Sequence, residues 1–331
     1  MHAGNVKPLS SIGRSSVPGS WPRTAFVFAG GSSLGAMQAG MLQALYEAGV
    51  RPDLLVGTSA GALNAAYIAS RPQTVVTAKE LANVWRDLCR DDVFPIHPPT
   101  LIAGLGNHRD HLVPNKPLTR LIARHLRLDR LEQAIVPFHI VAFDLLSGSE
   151  VRLCEGPAPS AVLAAAAIPG VLAPVQWGDH LLVDGGVVNN TPISHAVELG
   201  AERIYILPTQ DPANRSLANP PRGALDAAVH AMRLTVDARL QVDLVRYADH
   251  AELILLPAAN ATRVQPTDFD HADVLIRSAF VAAREAFERN RWAAPYCGMS
   301  RAAAEWRRAF MRPRLSRRPA PAGRRGGPCA S

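Results

Sequence analysis

Cysteine is scarce in this chain. There are four among 331 residues, and Cys89, Cys154, Cys297 and Cys329 stand too far apart for a CxxC pair or a metal-ligand spacing. A disulfide framework is therefore not expected, and the usage fits a reducing, cytoplasmic setting. Long apolar runs are missing as well. The longest, Ala161 to Val175, is too short to span a bilayer and is broken by Pro169 and Pro174. Residues 1–22 carry Lys7 and Arg14 but no apolar segment of signal-peptide length, so they read as a disordered leader, with an organelle transit peptide as the alternative. Acidic residues are absent from 312–331. There Arg312, Arg314, Arg317, Arg318, Arg324 and Arg325 supply six of the seven net positive charges of the chain. The remainder is nearly neutral, so the net charge gives no reason to expect a specific nucleic-acid partner. Internal repeats are absent too.

What is present is apolar residue in quantity, 48% of the chain, enough for one large α/β domain, assigned to 23–292. Ala302 to Met311 is compatible with a short helical extension within 293–311. The Arg/Pro-rich end, 312–331, reads as a disordered tail, either simply solvated or in peripheral contact with an anionic membrane.

The organising stretch is Leu54-Leu55-Val56-Gly57-Thr58-Ser59-Ala60-Gly61, followed by an Ala-rich helix. A buried strand, a sharp turn and a helix place Ser59 at the apex with its hydroxyl pushed outward. Gly57 and Gly61 fit because a Cβ at either place would collide with the neighbouring strand or helix. Upstream, the apolar run Thr24 to Ala29 is the first strand and ends in Gly30-Gly31-Ser32-Ser33-Leu34-Gly35, with a helix from about Ala36 to Ala48. A dinucleotide loop would need glycine at Ser32 and an acid ending the next strand, whereas Asp53 precedes that strand. Free main-chain N–H groups before a helix, beside a strand that delivers a serine, instead suggest an oxyanion hole from Gly30, Gly31, Ser32 and Ser33, with Ala60.

Further along, Leu81, Val84, Trp85 and Leu88 form the core stripe of a helix from Val75 to Cys89, and Leu118 to Leu126 is a second amphipathic helix. Residues 91–115 read as a loop whose histidines, His97, His108 and His111, are solvated and fit no metal-ligand set, although the loop could shape a substrate entrance. Phe138 to Asp144 is a strand leading to a hairpin around Ser147-Gly148. His180 to Asp184 is an apolar strand that ends in Asp184-Gly185-Gly186, where the aspartate can reach out at a turn. Helices follow over Pro192–Leu199, Gly223–Tyr247 and Phe269–Glu288, and strands over Arg203–Leu207 and Glu252–Pro257.

The three motifs in this order resemble the patatin-like phospholipase family, from about Thr24 to Arg289. Ala164-Ala165-Ala166-Ala167-Ile168-Pro169-Gly170 and Asn189-Asn190-Thr191-Pro192 are similar to its pattern too. The resemblance implies an α/β/α fold in three layers with a mainly parallel central sheet. It implies hydrolysis of acyl esters of lipids or phospholipids through a serine–aspartate dyad, with Ser59 as nucleophile and Asp184 as base and with no metal or cofactor. Gly35, Gly57, Gly61, Gly185 and Gly186 would support the motifs. Three positions depart from the family: Ser32 where it has a third glycine, Leu34 where it often has Arg or Lys, and Ala165 near which it often has serine. Two other functions compete. One is an α/β-hydrolase-type esterase with a Ser-Asp-His triad, for which His250 or His271 is the candidate. The other is a non-catalytic lipid-binding protein on the same fold.

Overall fold

The computed structural model describes residues 23–106, 108–211, 224–258 and 264–289. The expectations for 1–22, 293–311 and 312–331 lie outside them. In chain order the elements are β1 (Thr24–Phe28), α1 (Ala36–Glu47), β2 (Leu54–Thr58), α2 (Ala60–Ala69), α3 (Val75–Asp87), α4 (Pro98–Leu105), β3 (His111–Val113) and α5 (Lys116–His125). Then come β4 (Phe138–Asp144), β5 (Ser149–Leu153), α6 (Ala158–Ala166), β6 (Gly170–Leu172), β7 (Val175–Trp177) and β8 (His180–Asp184). The last are α7 (Gly186–Asn189), α8 (Ile193–Glu198), β9 (Arg203–Leu207), α9 (Ala224–Tyr247), β10 (Glu252–Leu255) and α10 (Ala272–Glu288).

The strands β10, β9, β1, β2 and β4 are parallel neighbours in that order. These strands are apolar on both faces because helices cover both. Phe26, Phe28, Leu55, Ile140, Tyr205 and Leu207 point into the larger core beneath α1, α2, α3, α6 and α10. The alternating Ala25, Val27, Leu54, Val56, Ile204 and Ile206 are equally buried and face the other layer, where α8 crosses β1, β2 and β9 and packs on α9. The expected three-layer α/β/α architecture with a mainly parallel sheet is what the chain adopts.

Beyond β2 the sheet changes sense. A strand has two edges, yet β4 pairs with three others. β5 is antiparallel over Ile140–Asp144, which fills one edge. β2 and β8 therefore share the other. β2 lies parallel along it with Thr58 opposite Val141, and β8 lies antiparallel with Asp184 opposite Ala142. Because they run toward each other, their C-terminal ends abut at consecutive residues of β4.

The stretch 91–115 is more ordered than a loop. His97 caps α4, its ring Nδ1 lying 2.7 Å from the Thr100 hydroxyl. Pro98 and Pro99 occupy the first helical positions, where a missing N–H costs nothing. β3 then pairs in parallel with β6. His108 is exposed, and His111 pairs with Asp110 at 2.7 Å. Proline-rich composition hid a helix here, and three-residue strands leave no periodicity to read.

The corner at Ser59 explains its glycines. A Cβ on Gly61 would meet the Phe28 carbonyl of β1, and one on Gly57 would lie 2.7 Å from the Gly61 carbonyl oxygen. Gly61→Ala should therefore destabilise the fold by about 1–3 kcal/mol in equilibrium urea unfolding, as overpacking against backbone does. An unchanged midpoint would mean that β1 and α2 yield to the added methyl group.

Candidate active site

Ser59 stands between β2 and α2 with φ 55° and ψ −128°, a left-handed conformation unusual for a residue with a Cβ. It is held there by neighbours. Its N–H donates to the Ala165 carbonyl at 3.1 Å, and its own carbonyl accepts from Ala62 and Leu63 in the first turn of α2. Asp184 is fixed in the same way, its N–H donating to the Ala167 carbonyl at 2.9 Å. The last turn of α6 thus holds both backbones. Main-chain carbonyls do this, so holding the two backbones needs no side chain at 165 and no serine near it.

Ser59 is 8% and Asp184 4% exposed. Burial pushes the Asp184 carboxyl up to about 6, while the Ser59 hydroxyl and the Gly186 N–H, which donates at 2.8 Å, pull it back. A carboxylate this buried is a stronger base than a solvated one, yet ionised at neutral pH.

The glycine loop is pinned from three sides. The Gly30 N–H donates to the Asn190 carbonyl at 3.0 Å, and the Ser33 N–H to the Pro266 carbonyl at 3.1 Å. These two N–H groups are spent, which leaves two of the four donors expected from the loop. The N–H groups of Gly31, Ser32 and Ala60 have no acceptor among the described residues. The Gly30 carbonyl accepts from the Asn190 side-chain amide at 3.1 Å and the Thr209 hydroxyl at 2.5 Å. In a planar trans peptide the next N–H points the opposite way, so these two side chains set the direction of the Gly31 N–H. Ser32, at φ 53°, sits in the left-handed conformation that glycine favours. Leu34 is buried in the core, so that position offers no cation to a substrate. Asn190 was legible as part of a motif, whereas Thr209 and Pro266 carried no signal in sequence.

Two apolar spaces meet at Ser59 and Ser32. An inner cavity of about 80 Å³ runs under α2 toward Tyr67, Trp85, Leu121, Ile122 and Phe269. The core stripe Leu81, Val84, Trp85 and Leu88 forms one of its walls. An outer groove of about 530 Å³ passes Asp184, Gly31, Ile96, Leu101, Leu112 and Val187, with Arg90 and His97 among its walls.

Neither histidine of the alternative triad, His250 or His271, lines the inner cavity or the outer groove. His250 precedes β10, the far edge strand, at the opposite end of the sheet from Ser59, and His271 pairs with Asp268 at 2.9 Å. His195 bridges Glu150 at 2.5 Å and Glu198 at 3.2 Å, the satisfied helix histidine expected. Among the described residues no group of three His, Cys, Asp or Glu could hold a metal ion. No helix among them is long and apolar enough to cross a membrane.

The family model for patatin-like phospholipase matches residues 26–197, which carry all three motifs. The chain belongs to this family. Among similar members is an uncharacterised NTE family protein of Mycobacterium tuberculosis, 33% identical over 179 residues, covering 50% of this chain and 27% of that protein. A second from the same organism is 30% identical over 205 residues, covering 61% of this chain and 52% of that one. Patatin-like phospholipase domain-containing protein 7 of Mus musculus is 28% identical over 189 residues, 55% of this chain and 13% of that one. The chain thus spans about half or less of the length of these curated relatives. VipD from Legionella pneumophila superposes with a TM-score of 0.43 at 14% identity, over 81% of this chain and 67% of that one.

The raised Asp184 carboxyl has a thermodynamic consequence. Between its unfolded value of 3.8 and about 6 the native state binds the extra proton, so stability falls as pH rises through this window. The loss from this group is on the order of 3 kcal/mol by pH 7. Asp184→Asn should flatten that slope in urea titrations between pH 4 and 7. Parallel profiles for the two proteins would mean that the carboxyl titrates normally.

Proposed function

We propose that this patatin-like chain hydrolyses acyl esters of lipids, phospholipids among them, through an acyl-enzyme formed on Ser59. The observation that carries this reading is the buried Asp184 carboxyl meeting the strained Ser59 where β2 and β8 abut, beside unengaged N–H groups. Serine oxygen is a weak nucleophile and needs a base within reach. Asp184 takes the hydroxyl proton as Ser59 Oγ attacks the ester carbonyl carbon. The N–H groups of Gly31 and Ser32, with Ala60, receive the developing oxyanion. Collapse expels the alcohol, which leaves with the proton held on Asp184. Water then attacks the acyl-serine, Asp184 taking its proton and returning it to Ser59 Oγ as the acid departs.

The inner cavity suits the acyl chain and the outer groove the remainder of the lipid. This division follows from their shared walls at Ser59 and Ser32 and their apolar linings. Contact of 312–331 with anionic membrane and a cytoplasmic, membrane-peripheral setting stay part of the proposal.

A fluorophosphonate probe should label the chain, and Ser59→Ala should abolish labelling. Asp184→Asn should keep its fold and lose about 10²–10⁴-fold in kcat/KM on a short-chain ester. For the wild type, kcat/KM should rise about tenfold per pH unit below roughly 6 and level above it, because the base must be ionised. Labelling that survives Ser59→Ala, or none in the wild type, would favour a lipid-binding protein without catalysis. Loss of turnover in His271→Ala or His250→Ala would restore the triad.

A further inference from the structure

Large apolar side chains gather on one exposed surface, at α4 and the residue before its cap. Ile96 is 65%, Ile102 70% and Leu105 73% exposed, with Leu101 also exposed. Isolated exposed apolar residues are ordinary, but a contiguous group is not. α4 itself contains no charged residue.

This surface is anchored. α4 packs on β3, so closely that a Cβ on Gly104 would meet the His111 carbonyl. β3 pairs with β6, His111 opposite Gly170 and Val113 opposite Leu172. The ladder fixes α4 beside the segment Ile168–Val171, which walls the outer groove. Ile96 and Leu101 belong to both places, exposed at the rim and lining the groove. Apolar surface is therefore continuous from the outside of α4 to Ser59.

We propose that α4 with Ile96 is the face by which the protein docks on a phospholipid membrane, Ile102 and Leu105 inserting among the acyl chains while Ile96 and Leu101 line the way into the groove. This rests on the lipid-hydrolase reading for the direction in which substrate moves. A second copy of the chain could also cover an apolar face, but the continuity with the groove favours a lipid, which must leave its bilayer without crossing water. The charges of the stretch favour an uncharged surface. From Arg90 to Lys116 the cations Arg90, Arg109 and Lys116 balance Asp91, Asp92 and Asp110. Docking here therefore needs no anionic lipid, in contrast to the arginines of 312–331.

The test uses the full chain carrying Ser59→Ala, so that lipid is not consumed, and vesicles of phosphatidylcholine alone. Cosedimentation should show binding that changes less than about twofold between low and high salt, since no charges are paired across the interface. Adding Ile102→Ser and Leu105→Ser should lower the partition coefficient about 30-fold or more, the loss of two inserted side chains. With Ser59 intact, the same pair should leave turnover of a soluble short-chain ester within about twofold, because neither side chain lines the groove. Three results would overturn the proposal: equal partitioning with and without the pair, binding that collapses at high salt, or a wild-type dimer that the pair converts to monomer. Absence of ester turnover in the wild type would instead remove the hydrolase reading, and the vesicle measurement would still decide docking.

Discussion

One edge of β4 carries two strands that meet head to head. β2 supplies Thr58 opposite Val141, and β8 supplies Asp184 opposite Ala142. The proposed chemistry depends on that junction. Two residues far apart in sequence meet because the ladder changes sense at consecutive positions of one strand. The last turn of α6 then fixes both, through the Ala165 and Ala167 carbonyls. Small side chains let that turn come close, and Ala165 and Ala167 are wholly buried.

The site collects its costs in one place. Ser59 and Ser32 both occupy left-handed backbone, and Asp184 is a carboxyl held away from water. The fold offsets these with dense main-chain bonding: Gly30 to Asn190, Ser33 to Pro266, and the buried Gln38 amide to the Ala29 and Leu207 carbonyls at 2.8 and 2.9 Å. What remains unspent is what a reaction needs, namely the Gly31, Ser32 and Ala60 N–H groups and an ionisable carboxyl beside a hydroxyl. The apolar spaces on either side share Ser59 and Ser32 as walls, and in the proposed reaction one takes the acyl chain and the other the rest of the lipid.

Much of this was legible in sequence. The β1 and β2 strands announce themselves as unbroken apolar runs, and the Gly57–Gly61 corner as glycines bracketing a serine. The Asp184 turn reads less clearly, because an aspartate before two glycines is an ordinary loop start. The sense of β8 was not legible, since an apolar strand reads the same in either direction and only its pairing with β4 decides. Nor was the selection among the loop N–H groups. Asn190 and Pro266 take two of them by contacts remote in sequence, Gly30 and Asn190 lying 160 positions apart. α4 escaped notice because two prolines open it, although its cap at His97 and Thr100 is a local signal.

In the proposed reaction the Ser59 oxygen becomes acylated with Asp184 as its base. Rapid mixing with a chromogenic ester at saturating concentration, acid quenching within the first turnover and peptide mapping by mass spectrometry test it most directly. An acyl group should appear on the peptide containing Ser59 in the wild type, and none at the same time point in Asp184→Asn. An acyl group on another residue, or an unmodified enzyme throughout a turnover that proceeds, would contradict it.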